Sequence, residues 1–127
     1  MDRENNQVEV DQIKIDLERY YVLGHAEYNP DLYQQILHPE WKMFQLEKGE
    51  LIIVDREEFC RWYQPHKKDP SLVWEFGIIS VDVTGDTAQV KMRLENQQVI
   101  YIDYLHLMKQ SGKWWIVHKI YHQVDKV

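Results

Sequence analysis

Two hydrophobic periods divide this chain. From Val8 to about Glu27 the apolar positions Val10, Ile13, Leu17, Tyr20 and Gly24 recur at helical spacing. Ile15, Val22 and Ala26 form a second stripe on the opposite side, so the pattern predicts a helix sandwiched between other elements. Asn29-Pro30-Asp31 reads as a helix start, with an N-cap Asn, Pro at the first helical position and an acid in the first turn. This short second helix runs to about Leu37, where His38-Pro39 stops it. Trp41 to Leu46 then alternates like a strand, Lys48-Gly49-Glu50 turns, and Leu51 to Val54 returns. Asp55 with Glu58 three residues on forms an acidic variant of the capping box, opening a third helix through Tyr63. Pro65 and Pro70 bracket a polar loop. From Leu72 onward the period is two, with turn signals at Gly85-Asp86, Asn96-Gln97 and Ser111-Gly112. Helices first and an antiparallel four-stranded meander last predict one α+β domain over residues 1–127, its helices on one face of the sheet.

Two-residue turns fix a predicted register. Around Gly85-Asp86, Val83 faces Ala88, Val81 faces Val90, Ile79 faces Met92 and Gly77 faces Leu94, all apolar or small. Around Asn96-Gln97, Leu94 faces Val99, Met92 faces Tyr101 and Val90 faces Asp103. Around Ser111-Gly112, Leu107 faces Ile116, Leu105 faces His118, Asp103 faces Ile120 and Tyr101 faces His122. One face then carries an apolar set that includes Ile79 and Ile120, and within it three ionisable groups: Asp103, His118 and His122. A carboxylate on such a face costs roughly several kcal/mol unless it is paired, protonated or wetted by a cavity. His118 and His122 become its diagonal neighbours at about 7–8 Å. A one-residue shift in the last hairpin replaces them with Lys119 and Tyr121; the unshifted register is preferred because it leaves Lys119 and Gln123 outside. The other face mixes Ile100, Ile102, Tyr104, Trp115, Val117 and Tyr121 with Lys91, Arg93 and Lys119. An apolar sheet face without helices of its own calls for a covering partner, and a second copy of the chain is the economical one.

Composition narrows the function classes. The 127 residues are 44% apolar and 28% charged, ordinary globular material with one sizeable core. Five Trp and eight Tyr supply large side chains for a core, a pocket or an interface. A net charge of −6, with no basic run longer than Lys67-Lys68, argues against a nucleic-acid partner. Apolar runs such as Leu51-Ile52-Ile53-Val54 are too short to span a membrane, and residues 1–7 lack an export signal. The one cysteine, Cys60, fits a reducing cytoplasm, which is the expected location. It has no histidine nearby in sequence to make it a nucleophile.

The segments Ile102 to Lys109, Gly112 to Val117 and Lys119 to His122 resemble the C-terminal hairpin of the putative lumazine-binding family. That family lies within the nuclear transport factor 2-like superfamily, the SnoaL-like and ketosteroid isomerase-like proteins. Tyr20-Tyr21 with Gly24, the stretch Leu37-His38-Pro39-Glu40, and Gly49-Glu50-Leu51 fit the same family. The resemblance implies a cone of three N-terminal helices over a strongly curved sheet, a cystatin-like roll, whose interior opens as a pocket. It also implies a homodimer through the outer sheet face. Tyr20 and Asp103 resemble the Tyr and protonated Asp that hold an oxyanion in ketosteroid isomerase, a worked case of a neutral carboxylic acid. The base of that enzyme falls near Gln45-Leu46, where no carboxylate stands.

Asp103, His118 and Tyr20 are therefore the candidate catalytic residues: acid or donor, base, and stabiliser of negative charge. The competing reading makes Asp103 a structural anchor and His118 a satisfied core histidine. Tyr101, Leu105, His122, Trp41, Trp62 and His38 are candidate ligand contacts, although His38 also serves as a helix stop and the tryptophans as core. His118 and His122 sit roughly 13 Å apart on a strand, so no shared metal site is expected, and no cofactor either. The favoured function is a small-molecule pocket, non-catalytic or weakly catalytic. The alternatives are a lyase or isomerase working through Asp103 and His118, and a protein-interaction module.

Overall fold

The computed structural model describes residues 3–126, with side chains from Asn6 onward. The first helical run comprises α1 (Arg3–Asp16), a π-helical segment (Leu17–Val22) and α2 (Leu23–Glu27). It ends where Tyr28 turns left-handed (φ 50°) and the amide of Asn29 donates to Gly24 O at 3.1 Å. Asn29 caps α3 (Pro30–Tyr33), its Oδ1 accepting from the Asp31 amide at 3.1 Å, as its sequence predicts. The strands β1 (Leu37–Glu47) and β2 (Glu50–Asp55) form the predicted hairpin, but α3 already ends at Tyr33 and His38-Pro39 lies within β1 instead of stopping a helix. Asp55 caps α4 (Arg56–Trp62), accepting from the Glu58 amide at 2.9 Å. The predicted meander follows as β3 (Glu75–Thr84), β4 (Thr87–Glu95), β5 (Val99–Gln110) and β6 (Lys113–Asp125).

The hairpin and the meander are one sheet. β1 lies parallel to β6, giving the order β2-β1-β6-β5-β4-β3, and this six-stranded sheet curves under the helices. The fold is thus α+β and mainly antiparallel. α1 is tied to the β5–β6 turn by Glu9, which accepts from Lys109 Nζ at 2.7 Å and Trp114 Nε1 at 2.6 Å. Those two donors hold the Glu9 carboxyl below its ordinary range. Among the described residues no helix is long and apolar enough to cross a membrane.

Three local irregularities separate the observed register from the predicted one. In β3 the pairs Val83–Ala88 and Val81–Val90 hold, but Ile79 is an extra residue. Ile78 therefore faces Met92 and Phe76 faces Leu94, while Ile79 is exposed rather than inward. The β4–β5 connection leaves three residues, Asn96, Gln97 and Gln98, between the strands rather than two, and its closing pair is Glu95–Ile100. Asn96 Oδ1 accepts from the amides of Gln98 and Val99, and Leu94, Met92 and Val90 face Tyr101, Asp103 and Leu105. A slip of two residues keeps every side chain on its face, so this difference is harmless. The third is decisive. β5 and β6 pair as predicted from Gln110–Lys113 to Leu107–Ile116, then Val117 bulges out and His106 pairs with His118. Beyond the bulge the faces exchange. Leu105 faces Lys119, Asp103 faces Tyr121 and Tyr101 faces Gln123.

Candidate functional site

The exchange of faces on β6 rewrites the predicted constellation. His118, expected beside Asp103, is exposed on the outer face, edge-on to Phe44. His122 and Ile120 are exposed there too. Their inward places belong to Lys119, 5% exposed, and Tyr121. A sequence read with regular alternation cannot anticipate one extra residue in a strand.

A second irregularity moves the helix residue by one. Ile13, Leu17, Tyr21 and His25 lie four apart and are all buried. In a regular α-helix this row would drift around the axis at 3.6 residues per turn; the wider turn of the π segment holds it on one face. Tyr21 therefore points inward, where Tyr20 was expected. Tyr20 is half-buried and lines a surface groove with Glu9 and Trp114. Gly24 stays open because a Cβ there would come within 2.8 Å of the Tyr33 ring. The ring of Tyr33 packs against His25, Tyr63 and Phe59 at 5.0–5.3 Å.

Asp103 is buried at 1% exposure, as the register on β5 predicts. Its Oδ2 accepts from the Tyr21 hydroxyl at 2.6 Å and lies 3.6 Å from Lys119 Nζ. Its Oδ1 is buried with no hydrogen-bond partner. The Lys119 ammonium also stands 5.0–5.3 Å from the ring centres of Tyr21, Phe59 and Tyr121. Burial pushes the Lys119 amine below its ordinary pKa, while Asp103 opposes that shift. Burial, with the Asp103 carboxylate beside it, raises the Tyr21 phenol well above its ordinary value.

Next to this cluster lies a cavity of about 90 Å³ lined by His25, Met43, Phe59, Trp62, Tyr63, Tyr101, Lys119 and Tyr121. Trp62, partly exposed, marks its opening. His25 Nδ1 is 3.2 Å from the carbonyl of Tyr21. A carbonyl only accepts, so Nδ1 carries the proton and Nε2 presents a lone pair with no partner among the described residues. Burial, then the Lys119 charge, holds the His25 imidazole well below its ordinary pKa, so it is neutral at pH 7. The hydroxyl of Tyr121 donates to Gln45 Oε1 at 2.8 Å, and Tyr101 stacks on Trp74. The site thus sets one cation, one neutral acceptor and several phenols around a small hollow.

The remaining candidates divide between wall, core and surface. Tyr101 and Trp62 line the cavity. Trp41 is wholly buried 5.0 Å from Phe59, its indole N–H unpartnered, and Leu105 is packed in the core; neither lines the hollow. His38 stands elsewhere, accepting from the Glu40 amide on Nδ1 and donating from Nε2 to Gln110 Oε1 at 3.0 Å. Sequence reasoning missed Tyr21, His25 and Tyr63, and reached Lys119 only as the unpreferred alternative of a one-residue shift in the last hairpin. The four-residue spacing of Ile13, Leu17, Tyr21 and His25 was the available signal for the first two. Among the described residues no three His, Cys, Asp or Glu side chains are grouped to hold a metal ion.

Residues 9–122 match the family described as "Putative lumazine-binding". The chain belongs to that family. The match takes in Tyr21, His25, Asp103 and Lys119, and so the whole polar cluster. No protein of curated function matches this family member in sequence. Similar solved structures include NTF2-like proteins of unknown function from Silicibacter pomeroyi and Shewanella baltica. The first has a TM-score of 0.83 at 21% identity, over 94% of this chain and 98% of that one. The second has a TM-score of 0.83 at 20% identity, over 93% and 95%. An uncharacterised protein with a cystatin-like fold from Caulobacter vibrioides has a TM-score of 0.65 at 12% identity, over 91% and 89%. At these identities the likeness is one of fold.

Proposed function

We propose that this chain is a small-molecule-binding protein whose ligand enters the hollow beside Lys119 and His25. The observation that carries this reading is the buried polar cluster itself. A core needs neither a 5%-exposed lysine nor a carboxylate oxygen left without a partner, and each such group costs free energy. A ligand that offers an acceptor to the Lys119 ammonium and a hydrogen-bond donor to His25 Nε2 supplies partners that the surrounding residues do not. The family's description supports a small heterocyclic ligand in general terms. The cavity volume of about 90 Å³, some three waters' share of liquid, favours a small ligand or one edge of a larger one. The cone and pocket implied by the nuclear transport factor 2-like resemblance, over one domain of residues 1–127, agree with this reading.

A lyase or isomerase is the second reading, favoured by the unpaired Nε2 of His25, which stands where a proton acceptor would be needed; the partner acid or base is then Lys119 rather than His118. The homodimer remains a proposal on the outer sheet face, where Tyr104, Met108, Ile120 and Val124 are exposed. The binding reading is tested by ligand-observed NMR against a library of small lactams and carboxylic acids. Hits should lose binding in Lys119→Met and Tyr63→Phe and keep it in His118→Ala. Hits that bind equally well to Lys119→Met overturn it.

A further inference from the structure

We infer that Lys119 is a carbonyl-reactive lysine, which captures a small aldehyde or ketone as a reversible imine in the cavity. This rests on the pocket reading above and adds covalent chemistry to it. Three features of the geometry carry the inference. Lys119 is 5% exposed yet lines the hollow, so its amine meets a solute that enters rather than bulk water. The rings of Tyr21, Phe59 and Tyr121 surround it at 5.0–5.3 Å and keep bulk water away from the amine. Asp103 Oδ2 stands 3.6 Å from Nζ and also accepts from Tyr21, while Oδ1 has no partner, so an under-satisfied carboxylate sits beside the amine as a proton acceptor. Burial also lowers the lysine's pKa, in the direction that exposes its lone pair.

The step balances without any other reactant. The ammonium passes a proton to Asp103, and the freed Nζ lone pair bonds to the carbonyl carbon as the C=O π pair moves onto oxygen. That oxygen takes the proton back from Asp103 and a second from nitrogen, which is again cationic after addition. The nitrogen lone pair then forms the C=N bond as water leaves. Overall, an aldehyde and a lysine ammonium give a protonated imine and water. The phenol of Tyr63 and the Nε2 lone pair of His25 line the same cavity and can hold the departing water by one donated and one accepted hydrogen bond. With about 90 Å³ available, the substrate is a carbonyl compound of a few carbons, its apolar end toward Met43 and Phe59.

The full chain is incubated with propanal and sodium cyanoborohydride at pH 7 under limiting aldehyde, and the propyl adducts are located by peptide mass mapping. Lys119 should be labelled ahead of the exposed lysines, and its adduct should vanish in Lys119→Arg. Asp103→Asn should slow labelling at Lys119 and leave the surface lysines unchanged. Labels on Lys113, Lys67 and other exposed lysines, with Lys119 unmodified, overturn the inference; so does the absence of any adduct. Propionamide, which has the same shape and forms no imine, separates the two claims. If it perturbs the His25 ring resonances while propanal leaves Lys119 unlabelled, the imine fails and the pocket stands. If neither happens, both fail.

Discussion

Lys119→Met tests whether the Lys119–Asp103 pair is a coupled buried unit. The two side chains are 6% and 1% exposed, so neither charge is screened by water. Methionine keeps the unbranched apolar stem of the lysine, ending one atom short where the ammonium stood, and leaves Asp103 with one donor, Tyr21, and one bare oxygen. Removing one partner of such a pair costs about 3–5 kcal/mol. Asp103→Asn strands the lysine instead and costs a comparable amount. The double variant leaves a neutral amide that still accepts from Tyr21, with an N–H pair lacking a partner. It should cost only about 1–3 kcal/mol in total. The coupling between the two sites is then at least about 3 kcal/mol, against under about 1 for an exposed pair. Urea titration followed by tryptophan fluorescence at fixed protein concentration reads this out. With a slope near 1.5 kcal/mol per molar, each single variant should lower the midpoint by roughly 2–3 M, and the double variant by about 1–2 M. Single variants that each cost under about 1 kcal/mol, or costs that simply add, would refute the argument that this pair is buried and coupled.

Three further outcomes follow from other parts of the structure. Because the folded His25 pKa lies below its ordinary value of 6.5, the unfolded chain takes up a proton that the native state refuses. Stability should be full above pH 6.5 and fall by up to about 1.4 kcal/mol per pH unit as the pH drops toward the folded pKa. His25→Gln should flatten that slope between pH 6.5 and 5, and an unchanged slope in thermal melts would exclude His25 as its source. Gly24→Ala drives a Cβ to 2.8 Å from the Tyr33 ring and should cost about 1–3 kcal/mol in the same urea assay. Sedimentation should give about twice 15.5 kDa for the unmodified protein and the single mass for Tyr104→Glu, whereas a monomeric unmodified protein ends the dimer proposal.

Sequence by itself determined which segments fold and how. Asn29 and Asp55 cap their helices where predicted, because a capping side chain needs only the amides two or three residues ahead. Alternation from Leu72 onward revealed the meander and put Asp103 inward, since Val90, which it was expected to face, and Leu105, two residues on, are apolar. Composition set the net charge and the aromatic supply. Tertiary structure alone decided the parallel pairing of β1 with β6, which joins residues 76 to 79 apart and leaves no local mark. It also decided the two one-residue offsets that build the site: the wide helical turn that brings in Tyr21 and His25, and the bulge at Val117 that exchanges His118 for Lys119. Both are responses to global fit. A helix must keep one row of side chains against a curved sheet, and a long strand must bend around the core it covers. Period counting assumes regular geometry, so it fails by one residue where packing makes the chain depart from it, and one residue is enough to move a side chain off its face.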